Sequence, residues 1–304
     1  MSTHRSGRTG GTILLTLLLA TCPPVHAEYS PSGPFLRATY ALAQPEAFGP
    51  GLGQRIRTRE YDLLAGFGDV AFGAGTLSAG LDYRYTRYEF EALQSRDWDL
   101  HWLRVPVNWR RTSDNRTVIA TIAPGIASSS NRFKDPGEYA NDDLDVAAHF
   151  AVVQRSSPTL SWTAGLSFDR RFGRPMLYPT GGAIVRASER WTLRLIAPDP
   201  EIAFTQNARL RWFAFLAPAG HRWHAFNEAA ARRFDFETRA WRATAGGELR
   251  LLNSLSMQIF AGREFGRHYE FLDDRGLRVD EDAAAANFAG LRFAVPAFGS
   301  GDSR

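Results

Sequence analysis

The amino-acid sequence predicts an all-β protein: a single antiparallel up-and-down transmembrane β-barrel of about 12–14 strands, behind a cleaved signal peptide. Three observations carry this. Stretches of about ten residues in which every second side chain is apolar recur along the chain, an export leader precedes them, and large aromatics sit on the apolar faces. The cleanest stretch sets Leu160, Trp162, Ala164, Leu166 and Phe168 on one face and Ser161, Thr163, Gly165, Ser167 and Asp169 on the other. Successive side chains of a strand point to opposite faces, so this wall is oily on one side and polar on the other. A water-soluble sandwich gives the same local pattern, and the leader and the exposed-face aromatics decide for a barrel.

Residues 1–27 read as a signal peptide and residues 28–304 as the barrel domain. Arg5 and Arg8 form a basic start, Ile13 to Ala20 an apolar core, and Val25-His26-Ala27 a cleavage site before Glu28. That core is far shorter than the roughly 20 residues a membrane helix needs. A competing reading takes Leu19-Ala20-Thr21-Cys22 as a lipobox with Cys22 acylated; Thr21 fits it poorly, and Ala27 offers a better cut.

The strands follow in order. After Pro31 to Pro34, Phe35 to Ala43 is the first, and Pro45 to Gly53 is a loop. Gln54 to Phe67 sets Tyr61, Leu63, Ala65 and Phe67 outward against Glu60, Asp62, Leu64 and Gly66. A turn at Gly73 and Gly75 leads to Leu77, Ala79, Leu81, Tyr83 and Tyr85, alternating with Asp82 and Arg84. Charge on a lipid-facing wall costs ~2–4 kcal/mol near the midplane, so the charged side must be the inner one. In Trp98 to Arg110 the parity of the apolar residues changes after Trp102, which predicts a bulge there, with Pro106 at the irregularity. Thr117 to Ile126 returns, and Ser128 to Asp143 reads as a polar surface loop.

Leu144, Val146, Ala148, Phe150 and Val152 resume the alternation opposite Asp145 and His149, and Ser156-Ser157-Pro158 turns into the stretch from Leu160. Shorter strands are expected at Gly182 to Ala187, Trp191 to Ala197, Glu201 to Thr205, Ala208 to Ala217 and Arg222 to Phe226. Thr238 to Leu251 and Leu255 to Phe271 make a long hairpin, and Leu272 to Asp282 a charged loop. Asn287 to Val295 closes the barrel with Arg292 inward, and Phe293 or Phe298 stands in for the terminal aromatic common in such barrels. Tyr88, Trp98, Trp109, Trp191, Trp212, Trp223 and Trp241 fit interfacial girdles.

Composition agrees. Cys22 is the sole cysteine and leaves with the leader, so no disulfide is expected. Removing two leader arginines changes the charge balance to 34 minus 32, or +2, and no basic, aromatic-interleaved element suggests nucleic acid.

The mature chain also resembles a family of outer-membrane β-barrels catalogued only as a domain of unknown function. The likeness runs from about Tyr83 to Trp223. It is carried by Leu103-Arg104-Val105-Pro106-Val107, Ala123-Pro124-Gly125-Ile126, Phe172-Gly173 with Tyr178-Pro179, and Trp191-Thr192-Leu193 followed by Pro198 and Pro200. The resemblance implies the fold and the location and carries over no functional residue.

No catalytic motif or cofactor site is evident. His221 and His224 lie three apart and so face opposite ways on a strand, which excludes a shared metal. Asp142, Asp143 and Asp145, or Asp273, Asp274, Asp280, Glu281 and Asp282, lack the spacing of a calcium loop. An outer-membrane hydrolase would need a nucleophile–base set; Asp145 and His149 share a wall, but no Gly-x-Ser-x-Gly turn accompanies them. The inner wall is the informative surface. Asp62, Asp82, Arg84, Asp145, His149, Asp169, Arg194 and Arg292 fall opposite the apolar faces and are the candidate lumen-lining residues. A mixed-charge, water-filled bore suggests a porin-like channel for small solutes or ions; a closed structural barrel is the alternative. The expected partners are outer-membrane lipid, the barrel-insertion machinery and the solutes themselves.

Overall fold

The computed structural model describes residues 34–47, 55–91, 98–134, 143–227 and 232–295; the expected leader, Cys22, Asp142 and Phe298 lie outside the described residues. Strand β1 (Pro34–Ala43) continues as β2 (Glu46–Ala47) beside β3 (Arg55–Phe72), which turns into β4 (Gly75–Glu91). Next, β5 (Trp98–Arg104) and β6 (Val107–Ser113) share one line, and β7 (Arg116–Ser129) returns beside it. A meander follows: β8 (Leu144–Ser157), β9 (Leu160–Asp169), β10 (Met176–Arg186), β11 (Trp191–Ala197) and β12 (Glu201–Thr205). Then β13 (Leu210–Pro218) and β14 (His221–Asn227) lie in line against β15 (Arg232–Arg250). Strand β16 (Ser256–Asp273) pairs with both β17 (Arg278–Ala283) and β18 (Ala286–Val295). Four of the 18 strands continue another, leaving 14 wall positions, and β18 pairs with β1 to close them into an antiparallel barrel. Closure leaves no row of unpaired backbone groups along an edge.

The outer wall is apolar over a broad band. Leu36, Leu63, Phe67, Leu81, Ile122, Phe150, Trp162, Leu166, Leu195, Ile202 and Ile259 are all exposed, whereas Ser167 and Asp169, from the other face of β9, are buried. Trp191 and Trp212 mark the short-turn end of this band, and the tilted Tyr40–Tyr61–Tyr85 row, with centroids 4.9 and 5.7 Å apart, its other end. Leu166→Arg places a charge in this band. It is expected to cost ~2–4 kcal/mol, read as a lower urea midpoint in lipid vesicles. The same change at Leu277, 62% exposed in the turn at 274–277, is expected to be nearly neutral; equal costs would argue against a lipid-facing band.

Above the tyrosine row the barrel changes in two ways. Strands β8 to β12 stop, and removing these five positions from 14 leaves nine. There β14 meets β7 directly through a parallel bridge, His224 to Ser128, supported by Phe226 N–H donating to Ser129 Oγ at 3.1 Å. The wall also inverts its polarity. Outside stand Arg57, Arg59, Arg87, Glu89 and Asp99 in a ladder of ion pairs. Inside, Ile56, Tyr88, Leu100, Trp102, Trp223, Phe236 and Tyr269 form a buried core. This upper section is a collar built like a small soluble barrel on top of the wide one. Gly266, at φ +59°, sits beside the irregularity at Arg239/Trp241 where the β15–β16 wall enters the collar; the left-handed conformation there favours glycine.

The collar corrects several expectations. The register across β4 runs unbroken from Asp82↔Arg104 to Thr76↔Arg110, so no bulge lies near Trp102. Leu100, Trp102, Arg104, Pro106 and Asn108 all face inward; the interior itself switches from apolar to polar along one strand. Tyr88, Trp98 and Trp223 accordingly belong to the collar core and not to a girdle. The loop expected at Ser128 to Asp143 is partly built in: Ser128 and Ser129 finish β7, helix α1 (Ser130–Phe133) follows, and Arg132 bonds Asp143 at 3.0 Å with both buried. Strand β10 begins at Met176, six residues before the expected Gly182, and β17 occupies half of the expected Leu272 to Asp282 loop.

Candidate functional site

Below the collar the inner wall is polar, and two chambers open within it, with Arg171 on both. They enclose about 900 and about 1020 Å³ of empty space, mouths included. Asp62, Arg84 and Arg292 line the first, with Glu60, His221 and Arg242; His149, Asp169 and Arg194 line the second, with Arg104, Arg110 and Asp199. Asp82 and Asp145 are buried in the wall at 1% exposure.

Strand pairing brings these residues together across large sequence separations. Arg242 clamps Glu60 with two bonds of 3.0 and 2.9 Å and also bonds Glu264 through Nε at 2.9 Å. Arg84 reaches Asp62 at 3.4 Å and contacts the His221 ring. Arg292 donates to Thr39 at 3.0 Å and to Gln258 at 3.3 Å. Asp145 accepts from Arg104 and from Trp102 Nε1 at 2.5 Å and forms an ion pair with Arg170 at 3.2 Å, while Arg104 lies 3.7 Å over the Trp102 ring. Charge-assisted bonds of this kind hold buried ions only where both signs are present, which is why charge on this wall comes in alternating sets.

The segment between β9 and β10 is the part that parity could not place. It turns into the barrel instead of capping it. Arg171 bonds Asp169 at 3.0 Å and Asp199 at 2.6 Å and contacts the Tyr178 hydroxyl. Arg170 donates to the carbonyl of Leu144 at 2.7 Å and to that of Arg222 at 3.4 Å, and Gly220 N–H donates to the Arg171 carbonyl at 2.7 Å. A Cβ on Gly220 would stand 2.6 Å from both Gly173 N and the Thr238 carbonyl, so only glycine permits this approach. The segment thus fills the gap beneath the collar where β8 to β12 end. Along the barrel axis, the collar core closes the bore: Tyr88 of β4 touches Trp223, Phe236 and Tyr269 across the interior, with centroids 6.0, 5.1 and 6.1 Å away.

Two histidine–serine contacts bear on hydrolysis. His149 Nδ1 lies 2.8 Å from Ser167 Oγ in the second chamber. On the outer wall His101 lies between Tyr83, 2.8 Å from Nδ1, and Ser130, 2.7 Å from Nε2. Among the described residues neither ring has a hydrogen-bonded carboxylate to orient it: Asp145 is held by arginines, and Asp99 accepts from Tyr85. The acids considered for calcium take basic partners. Asp273 bonds Arg232 at 2.9 Å, and Asp280 and Asp282 lie 3.3 and 2.9 Å from His268. His268, Glu270 and Asp280 group within 4.8 Å, but Glu270 already binds Arg239 and Arg278. In the collar, burial alone would raise the Asp235 carboxyl; bonds from His224 and Arg222 outweigh it and hold that carboxyl below its ordinary range.

Arg104, Arg110, Arg170, Arg171, Glu60, Asp199 and Arg242 were not among the candidates. Glu60 and Arg242 share the polar parity of their strands, which is the signal for them; nothing in the alternation marks an inward turn at Arg170 and Arg171.

No protein family and no curated protein matches this chain. Among solved structures, it is similar to an outer membrane channel from Pseudomonas putida F1, with 12% identity over 90% of this chain and 99% of that one and a TM-score of 0.49. A Pseudomonas putida toluene transporter shares 11% identity over 88% and 90% of the two chains, at 0.39. A porin, NanC, shares 8% over 86% and 98%, at 0.37. Strand pairing and side-chain placement, and not these likenesses, establish the barrel.

Proposed function

We propose that this chain is a bacterial outer-membrane channel for small solutes or ions, closed in the conformation described. One observation carries the reading: a charged bore with water-sized space is enclosed by a barrel whose outer wall is apolar. The collar core bars the axis, so the route runs past the inward segment Arg170 to Gly173, under the collar. The chambers serve passage and not catalysis. The same reading takes residues 1–27 as the export signal, outer-membrane lipid and the insertion machinery as partners, and the family of barrels of unknown function as its kin.

The test is a planar-bilayer recording of the purified full chain. Discrete conductance steps are expected, rare in the native chain and more frequent when the β9–β10 segment is shortened by deleting residues 171–173. A correctly folded barrel that stays silent in both forms would leave the closed structural reading in place.

A further inference from the structure

We propose that the first chamber holds a site for a small neutral aromatic solute bearing one hydroxyl group, with Phe215 as its platform and Thr244 as its hydrogen-bond handle. The inference deepens the channel reading and rests on it for access to the bore. The inner wall departs from its own rule here. A water-filled bore is ordinarily polar, yet Phe213, Phe215, Phe260 and Phe288 all line this chamber. They stand on β13, β16 and β18, and β15 runs between the first two. The rings lie close against the wall. Phe213 is directly opposite Gly246 and Phe288 directly opposite Gly262, and a Cβ on these glycines would stand 2.8 and 2.5 Å from the Cζ of the facing ring. The missing side chains give each ring room to lie across the adjacent strand. Phe213 and Phe215 are roughly parallel, 21° apart with centroids at 6.1 Å. One side of the bore thus carries an apolar floor.

Thr244 stands within that floor. It pairs with Phe215 on one side and with Gly262 on the other, and it lines the chamber at 5% exposure. Its Oγ1 has no hydrogen-bond partner. A buried hydroxyl in that state is costly and rare. Packing accounts for the rings and leaves the hydroxyl unexplained; a ligand oxygen supplies what is missing. The floor then selects the rest of the solute. Arg242 and Arg292 stand over the Phe288 and Phe260 rings at 4.8 and 5.7 Å, whereas among the described residues no guanidinium stands over Phe215. An aromatic body can meet that ring in the offset or edge-on geometry that rings prefer. An ionised group on the floor would exchange its hydration for a single hydroxyl, an unfavourable trade, so the polar group is neutral.

Fluorine NMR of the full chain in detergent micelles tests this, with para-fluorophenol as the probe and para-fluorotoluene as its twin without the hydroxyl. Micelles without protein give the partition background. Saturable binding of both is expected, tighter for the phenol. Thr244→Val replaces the hydroxyl by a methyl group; it is expected to weaken para-fluorophenol about fivefold, the worth of one net hydrogen bond, and to leave para-fluorotoluene unchanged. Phe215→Leu is expected to weaken both probes about threefold. Absence of saturable binding or equal affinity of the native chain for the two probes overturns the inference. So does undiminished phenol binding in either variant, given a chain that keeps its heat-modifiable gel shift. The comparison of the two probes needs no variant and stands even where a substitution prevents folding. Bound para-fluorophenol on a chain that never conducts removes the channel and keeps the site; conductance with no bound probe does the reverse.

Discussion

Asp145→Ala is expected to destabilise the barrel by about 3–5 kcal/mol, a large effect for one carboxylate. The residue is 1% exposed and receives Arg104, Arg170 and the Trp102 indole. Removing it leaves two guanidinium groups facing one another in the wall with their shared counter-ion gone. The cost of an uncompensated buried charge exceeds the worth of the bonds themselves. Urea unfolding in lipid vesicles reads the stability. Asp145→Asn keeps an acceptor for Trp102 and is expected to lose less. Asp145→Ala also removes the ion-pair partner of Arg170, whose bonds to the Leu144 and Arg222 carbonyls tie down the β9–β10 segment, so more frequent bilayer openings should accompany the loss. An unchanged unfolding midpoint would show that the arginines find other partners.

The second large effect concerns the collar. Phe236 is fully buried and packs on Tyr88, Trp98, Trp223, Tyr269 and Phe271. Phe236→Ala removes a ring from the middle of that cluster and should cost ~3–5 kcal/mol, transfer and cavity terms together. Because the collar core is separate from the polar bore below, the damage should stay local. Limited proteolysis of the variant in vesicles is expected to cut at the β14–β15 end while the membrane-embedded strands remain protected. Loss of the whole barrel's heat-modifiable gel shift would mean that collar and wall unfold as one unit.

The alternation made the barrel legible because lipid and water impose opposite demands on the two faces of a strand. From Leu160 to Asp169 that contrast is complete, and Trp162 and Leu166 do face outward at 52% and 50% exposure. A period of two says which residues share a face and leaves open which face is inside. Trp98, Leu100 and Trp102 are apolar because they fill the collar; Leu103, Val105 and Val107, on the opposite face, are apolar because they point outward. One unbroken strand thus reads as two out-of-phase pieces, and a bulge is the natural misreading. Parity alone groups Asp62, Arg84, His149, Asp169, Arg194 and Arg292, which the structure places on the chambers, with Asp82 and Asp145, which it buries in the wall. It does not give pairings: Arg242 and Glu60 are 182 positions apart, and only closure of the sheet makes them neighbours. The Arg170 to Gly173 segment has no periodicity to read, so its inward turn is visible only in three dimensions.

The inverted collar gives assembly a direction. If the barrel inserts collar end first, the arginines and glutamates on its exterior would cross the hydrocarbon layer more cheaply as part of a loose hairpin than as part of a finished, outward-charged ring. In that order the ring would form last. Its seam is the parallel contact between β7 and β14, whose Phe226–Ser129 bond joins residues 97 positions apart. Until that seam zips, the hydrophobic filling of the collar stays uncovered. Once sealed, the aromatic plug beneath a charged exterior would make backward sliding of the strands through lipid costly.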